Sequence, residues 1–423
     1  MIRALQNALL IDGSGTPPVA NASILLHGER IQAIVPSTEA ALDPATEMID
    51  LEGRSLLPGL IDLHTHCTVQ YHFHSETVRT FAEPYSETLV ALAAVARLEE
   101  ALLAGQTTLR DTGSLGNTIF DLREAIQRGF IRGPRLCVSG RYIIPTGGLA
   151  ATMEPRLVVE ADGEANVRGA VRQRIKDGAD FIKVAVNDTE WTQAELNAAV
   201  EEAHRWGLRV ACHVVSAAST KMAVTAGADT LEHARFFDDD DIAAMADQDI
   251  TIVSVASGPY DKVPLVEQYL LQSDLTSEFR QELEQKLALS RQALAVMPDN
   301  YRRALAAGVK IAAGTDRVSS LGKEPFAAVA RELEVLCELG LTNSQALQSA
   351  TGVAAAAMGW DDRVGFIAPG MLADILVVDG NPLDDISALH NVAMVIKGGE
   401  IVVGRELVAG RRPDFSNTDD EVV

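Results

Sequence analysis

From about residue 57 to residue 360, short β-rich runs alternate with long amphipathic stretches, and no other feature constrains the fold as tightly. The strand candidates are GLIDLHTH, TTLRD, RLCVSG, DFIKVAV, RVACHV, DTLEH, ITIVSV and VKIAAGTD. Between them lie helix candidates such as SETLVALAAVARLEEALLAG, EANVRGAVRQRIKDG and TQAELNAAVEEAHRWG, together with a long insertion over roughly 262–307. Parallel strands need crossover connections, so this alternation predicts consecutive βα units. Eight such strands predict an α/β fold built on a (β/α)8 TIM barrel, with its chemistry at the carboxyl ends of the strands.

Both ends of the chain read differently. ALQNALLID, NASILLHGERIQAIV and TEMIDLEG near the start, and DILVVD, AMVIKGGEIVVG and RELVAG near the end, are β-rich runs separated by Gly, Pro and Asp. Neither set suffices for a covered sheet alone. Pairing them predicts a composite β-sandwich domain of residues 1–56 plus 362–423 around a barrel of residues 57–361. The polar, acidic RRPDFSNTDDEVV is expected to be a loosely ordered tail.

A 423-residue chain that is 47% hydrophobic can bury a large core, which excludes disorder throughout. A formal charge of -23 argues against nucleic acid and anionic membranes as partners. No run approaches the roughly 18 apolar residues of a membrane span, and the Met-Ile-Arg start lacks a secretory signal, so a cytoplasmic location is expected. Cys67, Cys137, Cys212 and Cys337 are scattered, as expected of reduced thiols that pack rather than cross-link.

Histidine is scarce, nine in the whole chain, yet His64, His66, His213 and His233 all fall at the last positions of predicted strands, and Asp316 does the same. His64 and His66 are two apart, so in a strand both side chains leave on one face and can grip one ion. ACHVV, DTLEHA and AAGTD each add one N or O ligand of the type that zinc and similar metals prefer. Lys183 interrupts the otherwise apolar ADFIKVAV. A buried ammonium there must be paired, snorkel to the rim, or lose its proton; a neutral amine beside metal ligands can take up carbon dioxide to form a bridging carbamate.

The ordered set His64, His66, Lys183, His213, His233 and Asp316, with LLPGLIDLHTH, TTLRDTG, ADFIKV, TLEHA, AAGTD and GFIAPGMLADILVVDGNPL, resembles the amidohydrolase superfamily. The likeness is to its imidazolonepropionase-like branch, which includes Xaa-Pro and Xaa-Arg dipeptidases and hydrolases of aryl amides, carbamates and phenylureas. The resemblance implies two divalent metal ions, zinc with cobalt or manganese as alternatives. His64, His66 and Asp316 would hold the more buried ion, His213 and His233 the more exposed one, and Lys183, carboxylated by CO2, would bridge them with a hydroxide. Asp316 would carry the proton from the attacking water to the leaving nitrogen. The resemblance also implies a homo-oligomer and a small-molecule substrate, with a dipeptide or N-acyl amino acid expected first and an aryl amide, carbamate or phenylurea second. A cyclic amide or lactone, or a non-catalytic metal-binding barrel, follows behind.

Candidate substrate residues are Tyr71 and His74, with His72, in the loop after the first barrel strand, and Arg110, Tyr142 and Arg317, the last placed to meet a substrate carboxylate. Many dipeptidase relatives carry a histidine where PTGGLA has Leu149, which shifts the expected preference toward apolar groups. Rival chemistries lack their motifs: there is no G-x-S-x-G elbow, no H-E-x-x-H helix, and DGSGTPP breaks the dinucleotide fingerprint with prolines.

Overall fold

The computed structural model describes residues 2–37, 46–74, 77–80, 86–149, 154–187, 190–272, 275–319 and 326–404. The two ends of the chain share one eight-stranded sheet. Its order is Glu400–Val403, Val392–Lys397, Ile375–Val378, Ser55–Pro58, Ile2–Leu10, Val19–His27 and Arg30–Pro36, with Glu47–Asp50 also paired to Ile2–Leu10. The seam between the ends is antiparallel, Ile375 opposite Pro58 and Val378 opposite Ser55. Alternation along the seam strand divides its side chains between two cores. Ile375 and Val377 pack with Leu5, Ile24, Leu56 and Met394, whereas Leu376 and Val378 face the main core with Leu57 and Leu102. Gly105 (φ +84°) turns the chain directly against Leu376, where an added Cβ would lie 2.7 Å from a leucine methyl. Arg135 clamps buried Asp374 through two hydrogen bonds of 2.5 and 3.0 Å, tying the terminal sheet to the central region.

The central region is α/β with two parallel sheets. One has seven strands, in the order Val158–Glu160, Tyr142–Ile144, Ile182–Val186, Val210–Val214, Thr230–Glu232, Thr251–Val253 and Ile311–Ala312. The other runs Arg317–Ser319, Leu60–His74, Gln106–Asp111 and Arg135–Val138, with Thr77–Thr80 antiparallel to the outer part of Leu60–His74. Backbone hydrogen bonds from Leu63 N to Ala313 O (3.0 Å) and from Asp180 N to Val138 O (2.8 Å) tie the two sheets together. Strands covered on both faces should be apolar throughout. All five residues of Ile182–Val186 are buried, Lys183 included.

Helices follow the strands and are started by local chemistry: Thr192 with Glu195, Ser216 with Ser219 and Asp238 with Asp241 form reciprocal capping boxes. The stretch over 262–307, read as an insertion, is a helical pair, Ser257–Leu270 and Ser277–Ala306. Ala293, Met297, Tyr301 and Ala304 bury into the main core, so the second half of the long helix serves as the crossover to Ile311–Ala312. Phe279, Leu283, Leu287 and Val266 form the buried part of a separate cluster. Among the described residues no helix is long and apolar enough to cross a membrane. Cys67, Cys137 and Cys212 are buried and all four cysteines are free thiols.

Candidate metal centre

His64 and His66 do not end their strand, as the sequence pattern predicts, but lie within the 15-residue strand Leu60–His74. The strand runs on because its outer part pairs with Thr77–Thr80, Tyr71 opposite Thr80 and His74 opposite Thr77. The side chains of Tyr71, His72 and His74 lie outside the described residues. His213 is the penultimate residue of Val210–Val214, and His233 directly follows Thr230–Glu232. Asp316 lies between Ile311–Ala312 and Arg317–Ser319.

These strands bring the predicted ligands together. Asp316 Oδ1 is 3.5 Å from His64 Nε2 and 3.4 Å from His66 Nε2. Ring centroids are 5.2 Å apart for His64 and His66, and 4.6 Å for both His64 with His233 and His213 with His233. One donor atom from each of His64, His233 and Asp316 falls within 4.8 Å of the others. Lys183 enters the same cluster from the neighbouring strand, close enough for its charge to depress the pKa values of His64 and His213.

Backbone strain is concentrated here. His233 (φ +64°), Asp316 (φ +51°) and nearby Val255 (φ +44°) adopt left-handed conformations, which cost about 1–3 kcal/mol each where the surroundings impose them. Asp316 N donates to His64 O at 2.8 Å, and buried Asp62 receives both Thr315 N (3.0 Å) and Thr315 Oγ1 (2.7 Å), as well as His64 N (3.0 Å). Burial raises the Asp62 carboxyl to about 7 despite those donors. Gly314 permits the approach, since a Cβ there would lie 2.8 Å from the Cβ of His64.

Hydrogen bonds fix the ring tautomers. Glu232 Oε2 lies 2.7 Å from His64 Nδ1, and Glu232 Oε1 accepts from Arg110 Nη2 (2.6 Å) and Thr230 Oγ1 (2.7 Å). Glu232 is held well below its usual pKa: burial pushes it up, but Arg110, Lys183 and His64 together outweigh that. An ionised carboxylate can only accept, so His64 Nδ1 carries the proton and Nε2 presents a lone pair. The same logic applies to His66, whose Nδ1 lies 2.9 Å from the Gly113 carbonyl. The Nε2 atoms of both imidazoles therefore converge on one carboxylate oxygen, an arrangement that suits a cation. Burial, first of all, lowers His64 to about 4 and His213 to about 3 and puts His233 well below the usual range, which keeps these rings neutral and able to ligate. His66 is raised, because Asp316 and Asp111 overcome the effect of burial.

Lys183 is 4% exposed and its Nζ makes no hydrogen bond among the described residues. Burial lowers its pKa to about 8, against the pull of Glu232. An orphaned, partly deprotonated amine among these ligands fits the predicted carbamate.

The proposed substrate residues fare differently. Arg110 is buried beneath the histidines, donating to Glu232, to Leu63 O (2.7 Å) and to Thr230 (3.2 Å), so its guanidinium is committed internally rather than to a ligand. Arg317 likewise forms an ion pair with Asp261. Tyr142 is buried beside His66, with Gly113 between them: a Cβ on Gly113 would lie 2.8 Å from Tyr142 Cδ1 and 3.1 Å from His66 Cε1. Leu149 packs on the cluster containing Tyr142, Ile144 and Leu157. Sequence reasoning missed Glu232 and Asp62. The available signal was an acid at the end of each apolar run, TLEH and LIDLH, where nothing but a buried partner would tolerate one.

The amidohydrolase family model matches residues 55–402. Ochratoxinase of Aspergillus niger is 28% identical over 438 aligned residues, covering 94% of this chain and 85% of that protein. Imidazolonepropionase of Chromobacterium violaceum is 27% identical over 392 residues, covering 84% of this chain and 85% of that one. The crystal structure of a Xaa-Pro dipeptidase with bound methionine in the active site superposes with a TM-score of 0.82 at 30% identity, over 95% of this chain and 99% of its own. The chain belongs to the amidohydrolase family, in its prolidase- and imidazolonepropionase-like branch, and is a hydrolase acting on carbon–nitrogen bonds.

Proposed function

We propose that this hydrolase is binuclear and cleaves the amide bond of a dipeptide or another N-acyl amino acid. The observation that carries the reading is the convergence of His64 and His66 Nε2 on Asp316, with Lys183 Nζ buried beside them and without a hydrogen-bond partner among the described residues. His64, His66, His213, His233, Asp316 and a carboxylated Lys183 would hold two divalent ions, zinc by ligand type with cobalt or manganese as alternatives. When bound, such ions lower the pKa of water toward neutrality and polarise a carbonyl. Carboxylation needs no further reagent than CO2: the amine nitrogen bonds to its carbon, and a proton leaves to solvent. Asp316 serves as the proton carrier, accepting from the attacking water and delivering to the departing nitrogen. Glu232, through His64, and Gly113, through His66, orient the imidazoles. The two parallel sheets are read as arcs of one (β/α)8 barrel, supported by the bonds that join them.

A second reading, an amidase for aryl amides, carbamates or phenylureas, is favoured by Leu149, which extends the apolar cluster around Tyr142. Protein purified without chelator is expected to contain about two metal equivalents per chain and to turn over dipeptides. Stripping the metal should abolish turnover, and zinc with bicarbonate should restore it. Turnover of aryl compounds alone would select the second reading. Failure to bind metal after reconstitution would remove both.

A further inference from the structure

We propose that Arg235 is the anion receptor of the active site, binding the carboxylate of the amino acid released on the leaving-group side, and so selecting N-acyl amino acids over neutral amides. The assignment rests on the hydrolase reading above and names the group that decides among its substrates.

Arg235 lies two residues beyond His233, past the end of Thr230–Glu232. It is partly buried, and its charge is felt by His213 and His233 and interacts with that of Asp316, so it borders the proposed centre. Its main chain is pinned, since Asn300 Nδ2 donates to Arg235 O at 2.7 Å. Its side chain is aimed by one contact, Nη2 donating at 3.0 Å to the carbonyl of Val255, the residue at φ +44°. Val255 N in turn donates to Gly314 O at 3.1 Å, which ties this carbonyl to the loop that carries Asp316.

The remaining donors are unused. A guanidinium offers five N–H groups and does not lose its charge in a protein. Among the described residues Arg235 Nε is buried without a hydrogen bond, and Arg235 forms no salt bridge. The acids nearest to it electrostatically are occupied: Glu332 receives Ser254 Oγ, Ala256 N and Ser257 N, and Asp316 faces His64 and His66. A chain with 59 acidic and 36 basic side chains could readily have supplied a partner. The other arginines near the centre have one, Glu232 for Arg110 and Asp261 for Arg317. A partly buried cation without an ion-pair partner at a catalytic rim costs free energy that an anionic ligand would offset. A planar carboxylate suits the guanidinium, and an α-carboxylate lies two bonds from the scissile nitrogen of an N-acyl amino acid.

The experiment compares kcat/KM for an N-acetyl-L-amino acid and for its C-terminal carboxamide, using zinc-loaded wild type, Arg235→Met and Arg235→Lys. Removing one partner of a desolvated charge pair corresponds to a loss of about 100-fold. The acid-to-amide ratio is therefore expected to fall about 100-fold in Arg235→Met, mainly through KM, and roughly tenfold in Arg235→Lys, which keeps the charge but not the fork. Calorimetric binding of the free amino acid to metal-loaded protein should weaken in parallel. If Arg235→Met has lost metal, the ratio and the binding are read from Arg235→Lys. An unchanged ratio, or equal losses on acid and amide, overturns the assignment while leaving amide hydrolysis intact. A wild type that cleaves neither compound, nor any dipeptide or aryl amide, overturns the hydrolase reading itself.

Discussion

Lys183→Ala is expected to lower kcat/KM by roughly 10²–10³-fold and to bring bound metal from about two equivalents per chain to about one, because loss of a Lewis-acid contribution of several kcal/mol corresponds to losses of that order. The physical basis is the position of the side chain. An apolar strand buried on both faces has no use for an ammonium, and Lys183 Nζ finds no hydrogen-bond partner among the described residues. Burial already holds its pKa near 8, so the amine gives up its proton far more readily than an exposed lysine does. As a carbamate it would become an anion with two oxygens, which suits a site built from neutral imidazoles and one carboxylate. Alanine removes that anion without adding bulk, so the cavity it leaves should admit a small carboxylate. Added formate or acetate is therefore expected to recover part of the lost activity. Elemental analysis and turnover on the same sample check both halves. A variant with two metals and undiminished turnover would eliminate the bridge, and one that lost activity through unfolding would show no recovery with formate.

What the sequence revealed and what it withheld follow from the range of the interactions. His64 and His66 were legible because the period of a strand is two, so a local pattern decides which face both rings share. Asp316 and His213 were legible as polar residues closing apolar runs. Their partnerships were not, because these depend on register between distant segments. Arg110 meets Glu232 across 122 positions and Asp62 meets Thr315 across 253, and no local pattern reports such a pairing. Arg317 illustrates the consequence: next to Asp316 in sequence it looks like a substrate contact, yet an aspartate from the helix Ser257–Leu270 takes its guanidinium. The left-handed backbone at His233 and Asp316 was hidden for the same reason, since it is imposed by surrounding hydrogen bonds rather than by a glycine. The length of Leu60–His74 was also hidden, because its polar outer half is extended by pairing with Thr77–Thr80 and with Ser319.

Glu232→Gln is expected to destabilise the metal-free protein by about 3–5 kcal/mol at neutral pH and to weaken metal binding about 10–100-fold. Glutamine keeps the shape of the side chain but leaves the Arg110 guanidinium, 2% exposed, without a negative partner, and its amide no longer fixes His64 as firmly in the Nδ1–H form. The sign of the pH dependence follows from the direction of the shift. The Glu232 carboxyl is depressed in the folded chain, so its contribution is fully present above its unfolded pKa of about 4.3 and fades as the pH falls toward the lower folded value. The gap in stability between wild type and variant should therefore be widest at neutral pH and close progressively in acid below about pH 4. Urea unfolding of both metal-free proteins across that range measures it, and a gap independent of pH would mean that the loss is one of packing rather than charge. Removing both charges separates the cases further. In Arg110→Met with Glu232→Met no buried ion is stranded, so much of the stability should return. His64 would still lack its acceptor, and metal affinity should stay low. A double variant that regained metal affinity along with stability would show that Glu232 serves the fold alone and does not orient the ligand.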